Sequence, residues 1–101
     1  MGPCMVTRQE LGAADSLDIQ LRLNGQTLQD SNTRNLIFNV AALVSQISQT
    51  MTLEPGDVIA TGTPKGVGYV RKPPIFLKPG DIVEIEIEGI GTLRNPVRNR
   101  D

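Results

Sequence analysis

From Leu17 to Leu23 apolar and polar positions alternate without interruption, Leu17, Ile19, Leu21 and Leu23 against Asp18, Gln20 and Arg22. That is the period-two pattern of a strand with one face buried. Asn24-Gly25 follows at once, the pair best suited to the positive φ angles of a two-residue type I′ turn, so a return strand is expected from Gln26 to about Ser31. A two-residue loop fixes the register and pairs Leu23 with Gln26 and Leu21 with Leu28. After the polar turn cluster Asp30–Asn35 the period changes. Val40, Leu43, Val44, Ile47 and Met51 recur at helical spacing, and Asn39 ahead of them is an N-cap residue type. The other face of this helix (Ala41, Ala42, Ser45, Ser48, Gln49) carries no charge, so the helix is expected to pack on both sides.

The second half contains an internal echo. Leu53-Glu54-Pro55-Gly56-Asp57 and Leu77-Lys78-Pro79-Gly80-Asp81 share a Leu-x-Pro-Gly-Asp pattern, each followed by two β-branched residues. Proline sets φ at the second turn position and glycine supplies positive φ at the third, so each copy predicts a turn that launches a strand. Two copies are recurring turn chemistry rather than a repeat protein. From Ile82 the chain alternates again, with Val83, Ile85 and Ile87 on one side and Glu84, Glu86 and Glu88 on the other. Gly89-Ile90-Gly91 makes the bend, and Thr92 to Val97 returns. The sum is a β-rich α+β fold with one amphipathic helix and no internal linker.

Composition narrows the chemistry. Ten Lys+Arg against eleven Asp+Glu give a formal net charge of -1 over 101 residues, which argues against a nucleic-acid surface or a polybasic membrane patch. One cysteine, Cys4, excludes an internal disulfide framework, and the lack of histidine excludes His-based triads and metal sites within this chain. Two Phe and one Tyr leave little for base stacking. The N-terminus lacks the basic start and apolar run of a signal peptide. The uncharged stretch Asn35 to Leu53 holds too many Asn, Gln, Ser and Thr residues to span a bilayer. A cytoplasmic protein is the expectation.

Two places remain for chemistry. Thr61-Gly62-Thr63-Pro64-Lys65-Gly66-Val67-Gly68 is a loop of glycines and hydroxyls with one lysine. Glycines allow close backbone approach to a ligand, and consecutive amides with hydroxyls make an anion-binding concavity. The spacing is not that of a phosphate-binding P-loop, since no Gly-Lys-Ser/Thr follows. On these residues alone, a small-anion site and an ordinary structural loop stand equal. Glu84 and Glu86 place two carboxylates on one strand face, as a divalent cation site needs. The solvated, edge-protecting face is the preferred reading, with Arg94 and Arg98 of the return strand expected to neutralise the charges. Cys4 reads as a small buried residue rather than a nucleophile.

The run TLEPGDVIATGTPKGVG, followed by PPIFLKPGDIVEIEIEGIGTLRNPV, resembles the fumarylacetoacetate hydrolase family. The branch it is most similar to holds acylpyruvate hydrolases, oxaloacetate decarboxylases and 2-hydroxyhepta-2,4-diene-1,7-dioate isomerases. LRLNGQTLQDSNTRNLIFNVAALVSQIS upstream is similar to the family's hairpin, polar turn and helix, so the resemblance runs from about Gly2 to Val97.

The resemblance implies a portion of the family's mixed β-sandwich or β-roll catalytic domain. It also implies metal-assisted chemistry on 2-oxo acid, dicarboxylate or β-dicarbonyl substrates, with Mg²⁺ or Mn²⁺ as cofactor. It assigns Thr63 to the substrate carboxylate, supported by Gly62 and its neighbours Thr61 and Lys65. The family's metal ligands, catalytic lysine and lid lie in an N-terminal portion, so residues 1–101 are expected to be the C-terminal portion of one domain without metal ligands or catalytic residues. Glu84 and Glu86 fall on the family's terminal strand and do not inherit the ligand role. The isolated chain is therefore expected to be inactive, with a homodimer expected at full length and neither nucleic acid nor membrane as partner. The alternatives are a non-catalytic small-anion module and an inactive product acting only in assembly.

Overall fold

The computed structural model describes residues 1–100. The elements are a short helix α1 (Arg8–Leu11), strands β1 (Asp18–Leu23) and β2 (Gln26–Asn32), helix α2 (Val40–Ser48), and strands β3 (Ile82–Ile87) and β4 (Gly91–Pro96). The strands form one antiparallel sheet in the order β2-β1-β3-β4. This is the β-rich α+β fold that the alternation implies; α1 has no counterpart in the expectation of a single helix.

Register sorts the side chains as the alternation requires. Leu21 lies opposite Ile85, which lies opposite Leu93, and Ile19 and Leu23 lie opposite Ile87 and Val83. These residues share the apolar face, while Gln20, Arg22, Glu84, Glu86 and Arg94 share the polar one. On that polar face Arg22 faces Glu84 in the ladder and reaches Glu86 at 2.8 Å and Glu84 at 4.0 Å. The expected neutralisation by Arg94 and Arg98 is not what forms. Arg94 faces Glu84 across β3 and β4, yet the glutamates are satisfied from the other side, by the central strand's only cation.

The hairpin turn forms as predicted, with Asn24 at φ 51° and Gly25 at φ 82°, and Leu23 pairs with Gln26. Beyond it the register departs from expectation. Arg22 pairs with Thr27 but Leu21 pairs with Gln29, so Leu28 is an unpaired extra residue in a β-bulge. The expected Leu21–Leu28 pair does not exist. From the bulge onward Gln29 and Ser31, not Leu28 and Asp30, share the face of Leu21 and Ile19.

Both Pro-Gly-Asp turns close in the same way. The Asp57 carboxylate accepts the N–H of Glu54 at 2.8 Å, and that of Asp81 accepts the N–H of Lys78 at 2.8 Å. Gly56 and Gly80 take φ 98° and 93° at the position where the turn requires it. Only the second copy launches a strand. Val83 and its neighbours have β1 and β4 to pair with, whereas Val58 and Ile59 meet no ladder, and Val58 is 69% exposed.

Helix α2 begins where expected, with Asn39 Oδ1 accepting the N–H of Ala42 at 2.8 Å. Val40, Leu43 and Ile47 are half-buried, but Val44 and Met51 are exposed, and so is the uncharged outer face. Packing on both sides of the helix is not realised within this chain. Among the described residues no apolar side chain is fully buried; the residues closest to a core are two polar ones, Gln29 and Asn32. Cys4, read as buried, is exposed, with its Sγ 3.4 Å from the carbonyl oxygen of Ile90. No helix among the described residues is long and apolar enough to cross a membrane.

Candidate functional site: a hydroxyl-rich loop over the bulged strand

The Thr61–Gly68 loop has no regular secondary structure before Gly68, and two side chains of other elements hold it in place. Gln29 of β2 donates from Nε2 to Thr63 Oγ1 at 3.0 Å and to the Pro64 carbonyl at 2.7 Å. Arg71 donates from Nε to the Gly66 carbonyl at 3.1 Å and from Nη2 to the carbonyl of Leu28. The bulge explains both contacts. The extra residue turns Gln29 toward the loop, and it takes the Leu28 carbonyl out of the ladder, where Arg71 binds it. Gly66, at φ 106°, is needed here, because a Cβ at this position would collide with that same carbonyl.

Thr61, Gly62, Thr63 and Lys65 form one rim of a cleft of about 610 Å³. Ser31 at the end of β2, with Thr33 and Asn35 of the polar turn that follows, forms the facing rim, and Ile19, Leu36 and Leu43 supply apolar wall. The facing rim is fixed internally. Asn32 donates to the Asp18 carboxylate at 2.7 Å and accepts the Arg34 N–H at 2.9 Å, while Thr33 Oγ1 accepts the Leu17 N–H at 2.8 Å. Among the described residues no aspartate or glutamate lines this cleft and Lys65 is the charged residue that does, while Asp30 lies with Lys65 and Arg71 at a second cleft on the other side of the loop. Within this cleft, hydroxyls, amides and an ammonium without a carboxylate among the described lining residues make a surface suited to a small anion.

All four residues singled out in the sequence are therefore together in space: Thr61, Gly62, Thr63 and Lys65 are exposed and line the same cleft. Gln29 and Arg71, which seat them, carry no such signal. In an unbulged register Gln29 would sit on the polar face, and Arg71 lies in an irregular segment with no period to read. The loop's glycines are the sign of close backbone approach, and Gly66 is the one at which β2 makes it.

A divalent metal does not fit the residues described. Among them no three His, Cys, Asp or Glu side chains converge into a possible metal group, and Glu84 and Glu86 are paired with Arg22 on the sheet face away from the loop.

Known proteins are similar to this chain in sequence and in fold. Residues 1–98 match the family described as Fumarylacetoacetate (FAA) hydrolase C-terminal. The Xenopus laevis protein named oxaloacetate tautomerase fahd2, mitochondrial, is 47% identical over 97 residues, covering 96% of this chain and 30% of that protein. The fumarylacetoacetate hydrolase from psychrophilic Exiguobacterium antarcticum superposes with a TM-score of 0.93 at 42% identity, over 98% of this chain and 35% of the other. Maleylpyruvate hydrolase from Sphingobium sp. SYK-6, solved in complex with manganese (II) ion and pyruvate, gives a TM-score of 0.86 at 35% identity, over 99% and 35% of the two chains. The chain thus spans about a third of the length of the relatives it matches. Motif, fold and full-length coverage of this chain agree: it belongs to the fumarylacetoacetate hydrolase family, in the part described as C-terminal.

Proposed function

We propose that this chain is the carboxylate-binding portion of a family hydrolase, isomerase or decarboxylase acting on 2-oxo acid or β-dicarbonyl substrates. One observation carries the reading: Thr61, Gly62, Thr63 and Lys65 converge on a cleft that, among the described residues, has a cation and hydroxyls but no carboxylate. The hydroxyl of Thr63 donates to the substrate carboxylate, the amides around Gly62 approach it closely, and Lys65 supplies the attracting charge. The apolar wall from Ile19, Leu36 and Leu43 excludes water from one side of the bound acid. The names of the relatives support an oxo-acid substrate, and the manganese and pyruvate of the Sphingobium structure support a divalent metal in the family. In this reading residues 1–101 are the C-terminal portion of one catalytic domain, and Mg²⁺ or Mn²⁺ is held by residues outside them.

A homodimer is part of the proposal, because the exposed outer face of α2 carries no charge that association would have to desolvate. The proposed compartment is the cytoplasm, against the mitochondrial one in the Xenopus relative's name; cell fractionation separates the two.

Titration of the 101-residue chain with oxalate and with pyruvate, without and with Mg²⁺, tests the reading. Oxalate is expected to shift the amide resonances of Thr61 to Lys65 with millimolar affinity, Mg²⁺ to change this little, and Thr63→Val to remove it. The chain alone is expected to leave an acylpyruvate intact; rapid cleavage by it would overturn the division of labour. Because the loop is seated entirely by residues of this chain, a non-catalytic anion-binding module is the second reading. Tight metal-free binding of oxalate would favour it.

A further inference from the structure

We infer that Gln29 is a positioning residue that forces the hydroxyl of Thr63 to act as a donor toward the ligand in the cleft. The inference rests on the proposed carboxylate-binding role of the Thr61–Lys65 rim and adds to it the origin of its polarity.

A threonine hydroxyl has one proton and can point it toward either of two neighbours. An anion site works only if that proton faces the anion. Gln29 reaches Thr63 Oγ1 through Nε2, and the same nitrogen donates to the Pro64 carbonyl at 2.7 Å. A carbonyl can only accept, so this second bond fixes which end of the Gln29 amide faces the loop: the NH₂ end, with both protons spent. Thr63 Oγ1 must then accept from Gln29, and its own proton has to point elsewhere, into the cleft that Thr63 lines. Pro64 thus sets the orientation of Gln29, and Gln29 that of the threonine hydroxyl.

Burial makes the relay rigid. Gln29 is 9% exposed and Thr63 is exposed, so the positioning group is shielded from water while the positioned one is open to a ligand. The bulge at Leu28 is what aims Gln29 at this spot, since regular pairing would put Leu28 opposite Leu21. A single extra residue in β2 therefore exchanges an apolar contact for a directional hydrogen-bond donor beneath the loop.

Two variants and two readouts test this on the 101-residue chain. Gln29→Met keeps the length and bulk of the side chain but has no donor. Gln29→Glu keeps the shape and, when ionised, reverses the polarity, so that the Thr63 proton is drawn back toward position 29. The first readout is the Thr63 χ1 angle from NMR scalar couplings, which needs no ligand. One rotamer is expected in the wild type and rotamer averaging in Gln29→Met. The second is the affinity for oxalate at low salt, expected to fall about tenfold in Gln29→Met, the scale of one charge-assisted hydrogen bond, and further in Gln29→Glu. A residue that only filled space would leave both readouts unchanged in Gln29→Met, and that result overturns the inference. A wild-type chain whose Thr63 rotamer is fixed by Gln29 but which ignores oxalate overturns the carboxylate reading, and with it the donor role. A Thr63 rotamer averaged in the wild type overturns the positioning role whatever oxalate does.

Discussion

Asn24 donates from its side-chain amide to the carboxylate of Asp81 at 2.9 Å, joining the β1–β2 hairpin turn to the second Pro-Gly-Asp turn. Asn24 Oδ1 accepts the N–H of Ile82 at 2.8 Å and the Asn24 N–H is bound by the Ile82 carbonyl at 2.9 Å, so the residue that makes the turn also docks it on β3. The Asn24 hydrogen bond, and after it the backbone N–H of Lys78, hold the Asp81 carboxyl below the usual carboxylate range. A lowered carboxyl pKa adds stability that is present above the unfolded value and is lost as pH falls through the folded one. Asn24→Ala is expected to return Asp81 toward the ordinary range, read from its carboxyl ¹³C titration. It also places alanine at a positive φ, which costs roughly 1–2 kcal/mol. The destabilisation in urea should be larger at neutral pH than below the carboxylate range.

Gly62 and Gly66 have similar positive φ values, 102° and 106°, but different surroundings. A Cβ on Gly62 meets nothing within 4 Å, whereas one on Gly66 runs into the Leu28 carbonyl. Gly62→Ala should therefore cost only backbone strain, about 1–2 kcal/mol. Gly66→Ala should cost more, and it should shift the resonances of Leu28 and Arg71 as the loop lifts from the bulge. Equal losses in the two variants, measured by urea unfolding, would count against the close approach.

The polar face of the sheet gives a contrast between two arginines. Arg22→Ala removes the partner of both Glu84 and Glu86 and should cost up to about 1 kcal/mol, declining as salt is added. Arg94→Ala, opposite Glu84 but unpaired with it in the described structure, should stay within about 0.5 kcal/mol of the parent.

Lys65 is exposed, so its attraction for an anion is screened. Lys65→Met should weaken oxalate binding several-fold at low ionic strength and very little at 1 M salt, where the screening length falls to about 3 Å. Thr63→Val should weaken binding at both. The two salt profiles separate the attracting residue from the hydrogen-bonding one.

Much of this arrangement was legible in the chain. The hairpin, the Asn39 cap and both Pro-Gly-Asp turns are local, set by residues within four positions of one another, and all formed. The Thr61–Lys65 grouping was legible only through the family resemblance of its motif, since glycine, threonine and lysine at that spacing fit an ordinary structural loop equally well. What was not legible is set by distant pairing. The bulge goes with Arg71 and the loop binding groups of β2, contacts between residues far apart in the chain, and the choice of Arg22 over Arg94 goes with β1 lying inside the sheet and β4 at its edge. The strand missing after Asp57 and the exposed stripe residue Met51 follow the same rule: a periodic pattern says that a face will be covered, not by what.

The extra residue in β2 has a consequence for how the loop and the hairpin respond to each other. An unbulged pairing is one step away, with Leu28 beside Leu21 and Gln29 and Ser31 turned to the opposite face. Apolar matching favours that alternative; the bonds from Gln29 to Thr63 and Pro64, and from Arg71 to Leu28, favour the observed one. Loop seating and strand register are therefore joined by the same hydrogen bonds, although the bonded residues are up to 43 positions apart in the chain. By linkage, a ligand that bound only the seated loop would favour the bulged register, and a substitution that populated the unbulged one would weaken that ligand in proportion to the population shifted.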